Sequence, residues 1–86
     1  MSKFHVEVSK QAERQISNLP KRDKQRVLNA IISLSNDPRP HGYKKLEYHT
    51  EYFRFRVGNY RIIYQIQDKK LFVFVVEVKK RDESTY

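Results

Sequence analysis

Apolar and polar residues alternate at the start of the chain, with Phe4, Val6 and Val8 set against Lys3, His5 and Glu7. A period of two predicts a half-buried strand over residues 3–9. The period then lengthens. Ser9 suits a helix N-cap, and Ala12, Ile16 and Leu19 fall on one face of the helix it would open, with Lys10, Glu13, Arg14 and Ser17 opposite. Residues 18–23 interrupt the pattern. Pro20 can open a second helix, since a first turn leaves its missing N–H unpaired anyway. Val27, Ala30, Ile31 and Leu34 form the apolar side of that helix. Pro38 disfavours helical geometry at Asp37 and sets its limit.

Residues 43–51 read as a short edge strand or a loop. Three strands follow, at 52–57, 60–66 and 71–78, joined by turns at Gly58-Asn59 and Asp68-Lys69-Lys70. The last, LFVFVVEV, is almost wholly apolar, which predicts a central strand buried on both faces. One strand, two helices and a run of strands describe a single α+β domain over residues 1–86. Its helical hairpin would pack on one face of an antiparallel meander and leave a shallow groove on the other.

The arginines of this meander raise the functional question. Along 52–57, Phe53, Phe55 and Val57 point one way and Tyr52, Arg54 and Arg56 the other. Arg54 and Arg56 then stand about 6.5–7 Å apart, at a strand rise of about 3.3 Å per residue. That spacing resembles a phosphate repeat. Beyond the turn, Arg61, Ile63 and Gln65 alternate with Tyr60, Ile62, Tyr64 and Ile66, and the right hairpin register would bring Arg61 beside the arginine pair. The plainer alternative is that these arginines are solvated outer residues, paired with Glu47 or Glu51.

Composition weighs on that choice. The 86 residues carry 18 basic and 10 acidic side chains, a net charge of +8, and 13% of them are aromatic. Such a field favours a polyanion or an acidic partner, and rings interleaved with cations suit stacking on nucleic-acid bases. Cysteine is absent, so there is neither a disulfide nor a thiolate metal site, in keeping with a reducing cytoplasmic location. No signal-peptide-like run or membrane-spanning window is present. His5, His41 and His49 match no motif, and a structural or solvent-facing role is expected for each.

The segment RFRVGNYRIIYQI, followed by LFVFVVEVKKR and a tyrosine near the C-terminus, resembles the RelE/ParE superfamily of toxins, and its RelE branch best. The resemblance extends through the opening strand, SKQAERQISNLP, the helix ending at DPRP, and KKLE. It implies a type II toxin–antitoxin system and cleavage of mRNA in the A site of the 70S ribosome, next to 16S rRNA, without metal or cofactor. The implied chemistry is attack of a 2′-hydroxyl on the adjacent phosphate, leaving a 2′,3′-cyclic phosphate and a 5′-hydroxyl. It further implies a cognate acidic antitoxin. Arg54, Arg61, Arg81 and Tyr86 fall where that branch carries catalytic residues; Lys44, Lys45, Tyr52, Arg56, Lys79 and Lys80 are candidate RNA-binding residues. Arg61 suits bidentate stabilisation of phosphate charge. Arg81 corresponds to the donor to the leaving oxygen, although arginine is a poor general acid and suits charge stabilisation better. Arg54 replaces a lysine thought to help activate the 2′-hydroxyl, and it cannot easily lose a proton, so its expected role is electrostatic. Tyr86 would stack on a base. Lys80 stands where many relatives have histidine, which argues against a Glu/His acid–base pair. The alternatives are a ParE-like inhibitor of DNA gyrase and a non-catalytic RNA-binding relative.

Overall fold

The computed structural model describes residues 3–47 and 51–80. Strand β1 (His5–Val8) leads into helices α1 (Lys10–Ser17) and α2 (Lys21–Ser33). Strands β2 (Lys44–Lys45), β3 (Tyr52–Val57), β4 (Tyr60–Gln67) and β5 (Phe72–Lys80) follow. The sheet order is β1-β5-β4-β3-β2. The expected meander is the antiparallel run from β2 to β5, and β1 adds to its far side parallel to β5. The ambiguous 43–51 segment yields only the two-residue edge strand β2. No helix among the described residues is long and apolar enough to cross a membrane.

Ser9 starts the first helix and ties it to the sheet. Its Oγ accepts from the Ala12 N–H at 3.0 Å, and its hydroxyl donates to the Val76 carbonyl at 2.7 Å. An N-cap of this kind contributes about 0.5–2 kcal/mol. Pro20 occupies the N-cap of α2, with φ −55° and ψ 150°, and not the first helical position. Ala12 and Ile16 of α1, Val27 and Ile31 of α2, and Leu34 beyond it meet Tyr60, Ile62 and Tyr64 of β4 and Val73, Val75 and Val78 of β5. All of this core lies on one side of the sheet.

The expectation that the last strand is buried on both faces is overturned. Only Val73, Val75 and Val78 of β5 are buried. Their spacing of two and then three has a physical cause. Ile63 pairs with Glu77 while Tyr64 pairs with Val75, so Val76 is an extra, bulged residue. Phe72 and Phe74 lie on the side away from the helices, where they stack on each other at 6.3 Å. Phe72 also stacks on His5 at 6.0 Å. Mutual stacking, in place of a second covering layer, shelters these rings.

The connection from α2 to β2 is held at successive residues. The buried Tyr64 hydroxyl donates to the Pro38 carbonyl at 2.8 Å. The Arg39 N–H donates to Asp37 Oδ1 at 3.1 Å, and its guanidinium grips both Asp68 oxygens at 3.0 and 2.8 Å. Burial pushes the Tyr64 phenol well above its ordinary range, so it remains a donor. Arg39 holds the Asp68 carboxyl below its usual 3.8 through the side-chain hydrogen bonds.

Two outcomes follow from these clamps. Tyr64→Phe leaves the Pro38 carbonyl without its donor and lowers unfolding stability by about 1–3 kcal/mol, read from urea denaturation. Because the Asp68 pKa is depressed, the Arg39–Asp68 grip is intact above pH 3.8 and is lost as pH falls through the lower folded-state value. Amide exchange in residues 36–43 should therefore quicken only in strong acid, and quickening already at pH 5 would contradict the assignment.

Candidate nucleic-acid interface

The β3–β4 turn determines which cations meet. Val57 pairs with Tyr60, leaving Gly58-Asn59 as a two-residue turn. Gly58 has φ +57°, and a Cβ built there would lie 3.1 Å from Arg26 Nη1, so the α2 guanidinium lies close over the glycine. The Tyr60 hydroxyl donates to Asp23 Oδ2 at 2.7 Å, a second link from α2 to this turn. With the turn so fixed, Arg56 stands directly opposite Arg61, and Arg61 opposite Lys79.

A row of three cations, Arg56–Arg61–Lys79, thus crosses three strands on the open face. The next row is Lys44–Arg54–Ile63–Glu77. Directly opposed side chains on one face have Cβ atoms about 4.5–5.5 Å apart, close enough for like charges to destabilise the free protein. Charge neutralisation does not relieve them: Arg54, Arg56 and Arg61 form no ion pair with described residues, and Lys79 reaches Glu77 at only 3.9 Å. Neither Glu47 nor Glu51 partners these arginines. Ile63 is 9% exposed although it faces away from the helices. Its ladder neighbours are Arg54 and Glu77, and arginine stems commonly cover apolar surface in this way. Arg61 Nε is buried without a hydrogen-bond partner among the described residues. A charged donor in that state is costly in the free protein.

The two candidate RNA-binding lysines of β2, and likewise the two of β5, separate onto opposite faces. Lys44 and Lys79 share the open face with Arg54, Arg56 and Arg61, as does Tyr52 opposite Gln65. Lys45 stands opposite Phe53 and Lys80 opposite Tyr60, which puts both on the helix side of the sheet. Arg81 and Tyr86 lie outside the described residues, as does His49. No group of His, Cys, Asp or Glu among the described residues is arranged to hold a metal.

One residue that sequence reasoning set aside enters the site. Beyond the short β2, the outer edge of β3 opens into a cleft of about 320 Å³ lined by His41, Gly42, Lys44, Arg54, Phe55 and Arg56. Continuing the Lys44–Arg54 register outward explains it, since the chain before Lys44 then runs past Phe55 and Arg56. The available sequence signal was His-Gly between a proline and the KK pair, a turn that must precede a strand.

This fold and cationic face can now be set beside known proteins. Residues 3–85 match the family of ParE toxins of type II toxin–antitoxin systems, parDE, and the chain belongs to that family, within the RelE/ParE toxin superfamily. No curated protein sequence matches. Among solved structures, the RelBE2 toxin–antitoxin complex from Mycobacterium tuberculosis contains a chain 28% identical, with TM-score 0.82, covering 92% of this chain and 99% of that one. The archaeal RelE–RelB complex from Pyrococcus horikoshii has 28% identity, TM-score 0.83, and coverage of 95% and 99%. A mutant of the E. coli toxin RelE in the free state has 23% identity, TM-score 0.76, and coverage of 98% and 88%. The α+β architecture is that of RelE toxins.

If opposed cations strain the free protein, Arg56→Gln should raise its unfolding stability by about 0.2–1 kcal/mol. The gain should shrink as salt is raised from 20 to 500 mM, because exposed charges are screened. The same variant should bind a short single-stranded RNA more weakly and with a shallower salt dependence. Thermal unfolding and fluorescence titration across that salt series check both effects.

Proposed function

We propose that this toxin is an endoribonuclease that cuts mRNA in the ribosomal A site without a metal, by attack of an RNA 2′-hydroxyl on the adjacent phosphate. The observation that carries this reading is the Arg56–Arg61–Lys79 row, with a buried Arg61 nitrogen lacking an acceptor. Fixed charges lining an open sheet face suit a strand of phosphates, and an unpaired guanidinium donor suits the dianionic phosphorane more than a singly charged diester. Arg61 therefore stabilises the transition state. Arg54, in the next row, keeps its proton at any physiological pH, so it binds and neutralises and does not act as a base. Arg81 stabilises the departing 5′-oxygen, and Tyr86 stacks on a base to orient the nucleotide. Lys44, Tyr52, Arg56 and Lys79 hold the RNA on the open face. Lys45 and Lys80 meet ribosomal RNA from the other side.

The M. tuberculosis and P. horikoshii neighbours are complexes with antitoxins. Here too an acidic antitoxin would silence the toxin. A net charge of +8 supplies the complementarity and calls for binding that weakens with salt.

The ParE family match supports a second reading, inhibition of DNA gyrase by a surface without catalysis. Mapping mRNA 5′ ends after expression, alongside a supercoiling assay, separates the two. Codon-phased cuts with 5′-hydroxyl ends are expected, and Arg61→Ala should reduce cleavage by about 10²–10³-fold, the usual cost of removing one preorganised oxyanion donor. Supercoiling inhibition without such cuts would overturn the ribonuclease.

A further inference from the structure

Resting on the ribonuclease reading, we infer that His41 is the catalytic residue that accepts the proton of the RNA 2′-hydroxyl. The need for such a group is visible on the open face. Lys44, Arg54, Arg56, Arg61 and Lys79 are cations, and the arginines do not surrender their protons. The nearby carboxylate, Glu77, is half-buried and turned to Lys79 at 3.9 Å. Imidazole is the one side chain whose ordinary protonation change falls between about pH 5 and 8, where a base must be partly free yet still basic.

His41 occupies the cleft that Arg54 and Arg56 line. Among the described residues its ring nitrogens have no hydrogen-bond partner, so both remain available. Its backbone is nonetheless well determined. The Tyr43 N–H donates to the Pro40 carbonyl at 3.0 Å, closing a turn with His41 at its second position. Gly42, third in the turn, has φ +93°, the left-handed geometry that a type II turn requires there. The two residues preceding Pro40 are the clamped ones: Pro38 through the Tyr64 hydroxyl, Arg39 through Asp68. A loop held this firmly can present one side chain to a reacting group with the precision that proton transfer needs.

The step balances. A ring nitrogen of His41 takes the 2′-hydroxyl proton as the 2′-oxygen bonds to phosphorus. The P–O5′ bond breaks, and the 5′-oxygen leaves with a proton from water. The imidazolium then returns its proton to the resulting hydroxide. The charged and titratable groups facing His41 are Lys44 from β2 and Arg54 and Arg56 from β3, with Arg39 and Asp37 on its own loop. They bind the phosphate and leave the proton transfer to the imidazole.

The test is single-turnover cleavage of mRNA on programmed ribosomes between pH 5 and 8.5, with wild type, His41→Ala, His41→Asn and Glu77→Gln. The wild-type rate should rise with pH and then level off as the base is freed. His41→Ala should bind the ribosome as wild type does yet cleave at least about ten-fold more slowly, at the modest end of general-base contributions. It should lose the inflection, and added imidazole should restore part of the rate. His41→Asn, which can keep the turn but cannot accept the proton, should behave like the alanine variant. Retention of the inflection in His41→Ala, a loss confined to ribosome affinity, or transfer of the effect to Glu77→Gln would each overturn His41 as the base while leaving the ribonuclease intact. Failure of the wild type to cleave at any pH would overturn both readings.

Discussion

The structure turns on the register of one hairpin. Gly58-Asn59 is short enough to allow a single pairing, and that pairing places Arg56 against Arg61. A slip of β3 by one residue against β4 would send Arg54 and Arg56 into the core and expel Phe53 and Phe55. The hydrophobic pattern therefore forbids the slip, although electrostatics alone would welcome any arrangement that parts the arginines. Two α2 contacts reinforce the choice from outside the sheet: Arg26 over Gly58 and Asp23 on the Tyr60 hydroxyl. Aromatic burial on one face thus enforces crowded charge on the other. A domain of this size has little stability to spare, so repulsion kept on the open face is most readily explained by the anion that relieves it.

Much of this was readable in the sequence, and the reason is periodicity. The β3 and β4 alternations assigned each arginine to a face, and Ser9 marked the start of α1 before any contact was known. What escaped was information that periodicity does not carry. A parallel neighbour such as β1 leaves no signature in its own four residues, because the pairing with β5 is made by a chain segment far away in sequence. The bulge at Val76 is a second case. Without it, Lys79 would share the buried face with Val73 and Val75, and Lys80 would join the arginines. One extra residue exchanges the two lysines, so two adjacent candidates of the same chemistry end on opposite sides. Phe72 and Phe74 misled in a related way: a continuous apolar run fits a doubly covered strand, but it fits equally a strand whose outer rings stack on one another.

His41 was invisible for a different reason. Loop positions obey no repeat, and a lone histidine between proline and glycine looks like a surface residue. Its place beside Arg54 and Arg56 depends on β2 stopping after two residues, on the Tyr64 hydroxyl reaching Pro38, and on Arg39 finding Asp68 across the molecule. Each is a tertiary fact. Together they clamp the ten-residue connection between Ser33 and Lys44 into a fixed rim.

That arrangement suggests why fixed and titrating charge are housed in different parts of the fold. Groups that only stabilise charge gain from a strand, whose pleat repeats at about the spacing of phosphates and whose hydrogen bonds hold every cation in place. Groups that exchange protons gain from a loop at the rim, where water can return or remove a proton between turnovers. Replacing the expected lysine by Arg54 leaves that strand position with a charge it does not give up. On the ribonuclease reading proposed above, the sheet then binds and stabilises charge, and the clamped turn beside it supplies the base, so Arg54 fits a divided site as well as it fits a defective one.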